Sequence, residues 1–221
     1  VESGDPKIAY YRKNSAASSI SSHDVDRLDL FGIGWLHITG ILPAVSDSAL
    51  KAVKRLVERA AAPRIPISFD PNLRPQLWES EQKMAAALNS IARNARLVLP
   101  GISEGKILTG EQTPEKIAHA YHEMGVREVI VKLGAKGAYY SEKDGEEGYV
   151  PAFPVEKIVD TVGAGDGFAA GVISALCEDL PLREAALRGN VVGAIQIRHK
   201  RDNEGLPTKQ ELQGAMQRGG L

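Results

Sequence analysis

The chain contains the stretch Asp160-Thr161-Val162-Gly163-Ala164-Gly165-Asp166-Gly167-Phe168, directly ahead of an apolar helical pattern. Gly163 and Gly165 permit positive φ and leave backbone N–H groups uncovered, and such groups at a helix N-terminus form an anion site. Asp166 falls in the first helical turn, where a bound phosphate would repel its carboxylate. The combination suits a base that takes a proton from a hydroxyl while the glycine turn holds a transferring phosphoryl group.

The same residues have other interpretations that the spacing alone does not exclude. Aspartate commonly caps helices and glycines make tight turns, so a purely structural role carries about equal weight. A dinucleotide-binding fingerprint would need a third glycine where Phe168 stands. The glycine-containing segment 101–107 is one residue too short for a P-loop and lacks the Ser or Thr that follows the lysine there.

Outward from this stretch, short apolar segments alternate with helical patterns of ten or more residues. We predict strands at 36–38, 65–70, 97–99 and 129–131, a hairpin around 143–145, and a strand-like segment at 155–159. We predict helices at 46–62, 79–95, 114–124, 166–178 and 183–199, with a short one from Thr208. This alternation indicates parallel βαβ units in a single α/β domain, and continuously apolar strands are typical of sheets covered on both faces.

The composition is that of an ordinary globular protein. The chain has 221 residues, of which 43% are hydrophobic and 25% charged, with a formal net charge of -1. Near-zero charge gives no general attraction for nucleic acid or an anionic membrane, and no apolar run is long enough to span a bilayer. A single cysteine, Cys177, excludes an intrachain disulfide framework and a cysteine-rich zinc site; we expect a small core residue in a cytoplasmic protein.

Residues 160–166 resemble the second signature of the ribokinase-like (PfkB) family of carbohydrate kinases. Residues 99–104 resemble the family's Asn-x-x-Glu stretch, with Gly101 where Asn is usual, and residues 131–137 resemble its nucleotide-binding strand and turn. Asn190 lies on the helix that borders the adenine in that family. The resemblance implies a three-layer α/β/α fold around a mostly parallel sheet, with ATP and Mg²⁺ as cofactors.

The resemblance also implies a role for each matching residue. Asp166 would be the base, and Gly163, Ala164 and Gly165 would donate N–H groups to the γ-phosphoryl oxygens. Glu104 would hold a water molecule of the magnesium shell. The nucleotide-binding residues would be Lys132, Gly134, Gly137 and Asn190.

Within the family, three stretches resemble the members that phosphorylate the sugar acid 2-keto-3-deoxygluconate: residues 10–17, 69–78 and 202–207. The implied substrate-binding residues are Tyr10, Arg12, Arg74 and Asp202. A guanidinium can hold a carboxylate through two N–H···O bonds, which a neutral sugar could not use. The alternatives are a fructokinase- or ribokinase-type enzyme acting on a neutral sugar, and a non-catalytic remnant that only binds nucleotide or partners.

The resemblance covers the chain from about Ile8 onward and corresponds to the C-terminal two-thirds of such a kinase. The family's further N-terminal strands, its Gly-Gly substrate motif and much of its lid have no match here. Because the sequence begins at Val1, we expect that an upstream part is missing or was removed. We therefore predict a partial lid and substrate-binding segment at 1–30, a kinase core at 31–221, and a homo-oligomer when complete.

Overall fold

The computed structural model describes residues 14–200 and 205–219. Within them, six strands form one sheet in the order β1 to β6. The strands are β1 (Leu36–Thr39), β2 (Ile67–Asp70), β3 (Leu97–Val98), β4 (Glu128–Lys132), β5 (Ala138–Glu142) and β6 (Glu147–Val150). Strands β1 to β4 pair in parallel, whereas β5 and β6 extend the sheet as an antiparallel hairpin. The prediction of a mostly parallel sheet is therefore confirmed.

The helices within the described ranges include the six predicted ones and two, α1 and α4, that were not predicted. They are α1 (Ser22–Asp26), α2 (Asp47–Ala61), α3 (Glu81–Ala92), α4 (Ile102–Thr109), α5 (Pro114–Glu123), α6 (Ala164–Leu176), α7 (Leu182–Gln196) and α8 (Lys209–Arg218). Hydroxyls that accept a backbone N–H of the first turn cap α2, α3, α5 and α8, as N-cap residues do. In the described part of the chain, no helix has the length and apolar character needed to cross a membrane.

Two cores on opposite faces of the sheet give the molecule three layers. On one face Phe69, Val98 and Val129 pack with apolar side chains of α2 to α5. On the other face Leu97 and Ile130 pack with side chains of α6 and α7. Parallel strands that follow one another in sheet order and connect by right-handed crossovers place their helices on a single face, which explains this division. The three-layer prediction is confirmed.

Helices α6 and α7 approach each other closely through glycines. A Cβ atom added at Gly189 would lie 2.8 Å from Val172 Cγ2, and one added at Gly171 would lie 2.8 Å from the carbonyl oxygen of Arg188. Only a residue without a side chain allows this approach. The contact fixes how α6 lies on the sheet, and with it the position of the helix N-terminus.

Three local predictions were wrong. Residues 155–159 do not form a strand; instead the N–H groups of Val159 and Asp160 donate to Ile197 O at 2.8 and 3.2 Å. Helix α6 begins two residues earlier than predicted because Gly163, at φ +79°, is its N-cap. Cys177 is exposed at the C-cap of α6 and is not a core residue.

Residues 14–26 lie against α2. The hydroxyls of Ser46 and Ser48 donate to Ser18 O and Ile20 O at 2.8 and 2.7 Å. This segment therefore packs on a helix of the core, and the boundary near residue 30 stays a prediction. The strand-like patch at 8–11 lies outside the described residues.

Candidate active site

The N-terminus of α6 brings together the four residues predicted to carry the chemistry. Gly163 is the N-cap in the left-handed conformation, and Ala164, Gly165 and Asp166 form the first turn. The N–H groups of a first turn have no partner inside the helix. The Ala164 N–H donates to Thr161 O at 3.3 Å, so an anion at this turn would share or replace that bond. Asp160 Oδ1 accepts the N–H of Val162 at 3.0 Å, a local hydrogen bond in the segment that leads into the helix. The side chain of Asp166 is exposed at this turn.

A buried ion pair lies beside this turn. Lys132, the last residue of β4, donates from Nζ to Asp70 Oδ2 at 2.6 Å, with the two side chains 19% and 3% exposed. A Cβ atom added at Gly165 would lie 3.7 Å from the same Nζ. The ammonium group therefore lies next to the backbone of the first turn of α6.

Glu104 is held by two backbone N–H groups. Its Oε2 accepts from Gly101 at 2.7 Å, and its Oε1 accepts from Leu73 at 2.8 Å. Each carboxylate oxygen keeps further lone-pair capacity, which suits a hydrogen bond to a metal-bound water. The described residues contain no group of three His, Cys, Asp or Glu side chains able to hold a metal ion directly. Because Mg²⁺ usually keeps several waters and is shared with substrate phosphates, Glu104 fits a role through water.

Arg74 belongs to the turn that follows β2. Its Nη1 donates to Asn72 O at 3.2 Å and to Leu73 O at 2.8 Å, and the side chain is half-buried. Asp70, the last residue of β2, pairs with Lys132, and the turn that follows supplies the Leu73 N–H to Glu104. Residues 70–74 thus carry both Arg74, the predicted substrate-binding residue, and Asp70, which pairs with the Lys132 ammonium group beside α6. The other predicted substrate residues, Tyr10, Arg12 and Asp202, lie outside the described residues.

The predicted nucleotide residues beyond Lys132 have distinct local settings. Gly134 has φ +59° and open space around it, whereas a Cβ at Gly137 would lie 2.0 Å from Val150 O. The close approach of the hairpin therefore requires glycine at Gly137 whether or not a nucleotide binds. Asn190, on α7, donates from Nδ2 to Pro151 O at 2.8 Å.

Tyr121 is a site neighbour that sequence reasoning missed. Its hydroxyl is fully buried and has no hydrogen-bond partner in the part of the chain that the structure describes. Burial raises the pKa of this phenol, and the negative charges of Glu104 and Asp70 raise it further. No sequence signal marks it, because Tyr121 occupies an ordinary apolar position of helix α5.

His37 on β1 is a second residue that the sequence did not indicate. Its Nδ1 lies 2.8 Å from Ser68 Oγ, which also accepts the indole N–H of Trp35 at 2.9 Å. His37 is exposed by its accessible surface. Partial desolvation by neighbouring protein atoms lowers the pKa of His37, the charge of Asp166 opposes that shift, and the charge of Lys132 adds to it. His37 therefore lies within electrostatic reach of the candidate base.

Comparisons with known proteins give consistent matches. The model of the pfkB family of carbohydrate kinases matches residues 1–209. A 2-dehydro-3-deoxygluconokinase from Bacillus subtilis (strain 168) is 44% identical over 212 residues, which are 96% of this chain and 65% of the relative. The chain thus spans slightly less than two thirds of that relative's length.

Solved structures share the fold. A PfkB protein from Polaromonas sp. JS666 superposes with a TM-score of 0.82 at 45% identity, over 96% of this chain and 67% of its own. A candidate ribokinase II from E. coli, solved with ATP and Mg²⁺, gives a TM-score of 0.86 at 30% identity, over 97% and 68%. Both likenesses extend over nearly all of this chain.

Proposed function

Because the chain belongs to the pfkB family of carbohydrate kinases, we propose that the protein transfers the γ-phosphoryl group of ATP to the primary hydroxyl of a sugar acid, 2-keto-3-deoxygluconate. The observation that carries this proposal is the first turn of α6. It joins an exposed carboxylate, Asp166, to backbone N–H groups that have the partly buried ammonium group of Lys132 beside them.

Asp166 accepts the proton of the attacking hydroxyl. In a loose transition state that proton leaves late, so a carboxylate in an ordinary environment serves as the base. The N–H groups of Gly163, Ala164 and Gly165 hold the oxygens of the transferring group, where negative charge accumulates. Donors fixed in place before the reaction stabilise that charge without having to reorganise.

The residues present fit ATP and Mg²⁺. Lys132 supplies a positive charge next to the phosphate turn, and Glu104 offers a fixed carboxylate for a water of the metal shell. When bound, the metal neutralises phosphate charge and the nucleotide supplies the phosphoryl group. Gly134 and Asn190 are the proposed contacts toward the base and sugar of the nucleotide. Gly137 allows the turn after Gly134 to pack closely against Val150 at the end of β6.

The choice of a sugar acid rests on the arginines and on the relatives. The B. subtilis relative is named for 2-dehydro-3-deoxygluconate, which is the same compound as 2-keto-3-deoxygluconate. Arg74 offers a planar guanidinium on the turn between the ion pair and Glu104. Together with Tyr10 and Arg12, it would bind the carboxylate end of the acid and leave the far hydroxyl at Asp166. Asp202 would accept a hydrogen bond from the substrate on the opposite wall of the site.

The test compares kcat/KM for 2-keto-3-deoxygluconate and for fructose in the complete protein and in Arg74→Ala. An unpaired charged donor costs about 2–5 kcal/mol, so the acid should be preferred by roughly tens to thousands of fold. Arg74→Ala should narrow this ratio mainly by raising KM for the acid, because the carboxylate is remote from the reacting hydroxyl. Arg93→Ala, which removes an exposed arginine at the end of α3, is the matched control and should keep the ratio.

Equal wild-type values for the two sugars would replace the sugar-acid assignment with a neutral-sugar kinase. A wild-type protein that binds nucleotide but phosphorylates neither sugar would favour the non-catalytic alternative. If Arg74→Ala keeps the preference, the carboxylate contact moves to Arg12, which is tested by the same ratio in Arg12→Ala.

A further inference from the structure

The ion pair of Asp70 and Lys132 joins the ends of two strands across the strand between them. The two residues end β2 and β4, which lie on either side of β3, and both side chains are largely buried. A buried ion pair is weak evidence for stability, because apolar residues of similar size often stabilise a fold as well or better. Its place at the carboxyl ends of the strands, beside the N-terminus of α6, indicates a role in the site.

The geometry gives Asp70 a specific task. Its Oδ2 accepts from Lys132 Nζ at 2.6 Å, and its Oδ1 accepts the N–H of Asn72 at 3.2 Å. The Asn72 N–H therefore holds the Asp70 carboxylate in place. The carboxylate in its turn restrains the ammonium end of the flexible Lys132 side chain. The bond uses one of the three N–H donors of the ammonium group, which lies against Gly165.

We propose that Asp70 is a positioning residue that holds the Lys132 ammonium group where it contacts the terminal phosphate of the bound nucleotide. The inference rests on the proposed function, since it requires a nucleotide at the N-terminus of α6. A lysine without this partner would sample other rotamers. Its charge would then have to reorganise before it could stabilise the transferring group.

The test measures how strongly the protein distinguishes a nucleotide with a terminal phosphate from one without it. Dissociation constants for ADP and for β,γ-imido-ATP, each with Mg²⁺ and without sugar, are obtained by calorimetry for wild type, Asp70→Asn, Lys132→Met and the double variant. Losing one charged hydrogen bond should reduce the preference for the triphosphate by about tenfold in Lys132→Met. Asp70→Asn should reduce it in the same direction, and the double variant should equal Lys132→Met alone.

The non-additive result separates positioning from general structural damage, because damage would multiply with the loss of the lysine. Asp144→Asn, in the exposed turn of the β5–β6 hairpin, controls for the loss of one carboxylate and should match wild type. If Asp70→Asn does not fold, Asp70→Glu replaces it, since it keeps the charge but moves it by one methylene. A lower triphosphate preference in Asp70→Glu that disappears in the Lys132→Met background would support the inference.

A wild-type triphosphate preference in folded Asp70→Asn would overturn the inference, and so would losses that multiply in the double variant. A wild-type protein that binds no nucleotide would overturn it together with the proposed function. A protein that binds nucleotide but phosphorylates no sugar would instead refute only the proposed function. The binding ratio would still decide the role of Asp70.

Discussion

The buried hydroxyl of Tyr121 shows how the site constrains single residues. It has no hydrogen-bond partner among the described residues, and it lies within electrostatic reach of Glu104 and Asp70, for which we propose roles at the metal and phosphate sides of the site. A buried polar group without a partner costs about 1–3 kcal/mol. The ring itself packs in the core, so the cost belongs to one oxygen atom.

We predict that Tyr121→Phe keeps or raises the free energy of unfolding at pH 7.5, by up to about 1 kcal/mol. The pKa of Tyr121 is raised in the folded state, so folding favours the neutral phenol. The free energy of unfolding is therefore unaffected by this group below the ordinary phenol pKa and falls as pH rises above it. The variant should therefore lose less stability than wild type between pH 9 and pH 11. Denaturant unfolding at both ends of this range measures the difference.

Tyr139→Phe is the matched control, because that hydroxyl donates to Glu147 Oε2 at 2.8 Å. Its removal should lower the free energy of unfolding at pH 7.5 by about 1 kcal/mol. A loss of the same size in Tyr121→Phe would mean that the Tyr121 hydroxyl is hydrogen-bonded in solution.

The site residues differ in how far the sequence could predict them. Asp166, the adjoining glycines and Glu104 lie in motifs whose chemistry depends on neighbours close in sequence. Tyr121 and His37 reach the site only through the packing of α5 and β1, which no local pattern records. The partner of Lys132 is 62 positions away in sequence and two strands away in the sheet, so the ion pair could not be foreseen.

At the level of elements, the contact between α6 and α7 determines where the candidate base lies. Gly189 faces Val172 and Phe168 of α6, and a Cβ there would lie 2.8 and 3.0 Å from their side chains. Phe168 is only two residues after Asp166. A displacement of α6 at this contact would therefore move the first turn of the helix relative to Lys132.

We predict that Gly189→Ala lowers the free energy of unfolding by about 1–2 kcal/mol. Overpacking of a tight contact costs about 1–3 kcal/mol, and the better helix propensity of alanine offsets up to about 1 kcal/mol of it. Gly214→Ala in α8 is the control, because its Cβ would meet only the flexible end of Arg218 at 3.4 Å. Denaturant unfolding should show a gain or no change in this control, and a stable Gly189→Ala would contradict the tight-contact account.

Element predictions succeeded where capping and apolar periodicity agreed. Ser46, Ser80, Thr113 and Thr208 each cap the helix that follows, and the bounds of these helices lie near the predicted ones. The strand prediction for 155–159 was wrong because Ile158 and Val159 are apolar but exposed, at 60% and 42%. Helix α4 escaped prediction because it has only eight residues and contains Gly105.

For the whole molecule, the sheet collects the site at one end. The carboxyl ends of β2 and β4 and the N-terminus of α6 meet there, as ligand sites do in parallel α/β sheets. Within the described residues, strand β1, which carries His37, is at one end of the strand order. The residues matched to the B. subtilis relative make up 65% of that relative. In the proposed kinase, the sheet and helix α6 described here would supply the residues that bind the phosphates.

The central claim is that Asp166 is the base of a phosphoryl transfer, and Asp166→Asn tests it most directly. Asparagine keeps the size and capping ability of aspartate but cannot accept the proton. We predict that kcat with 2-keto-3-deoxygluconate and ATP, measured on the complete protein, falls by roughly two to four decades while nucleotide affinity changes little. Asp144→Asn, in the exposed hairpin turn, should keep the wild-type kcat. A kcat for Asp166→Asn within a factor of about three of wild type would contradict the account, because it lies far below the contribution of a general base.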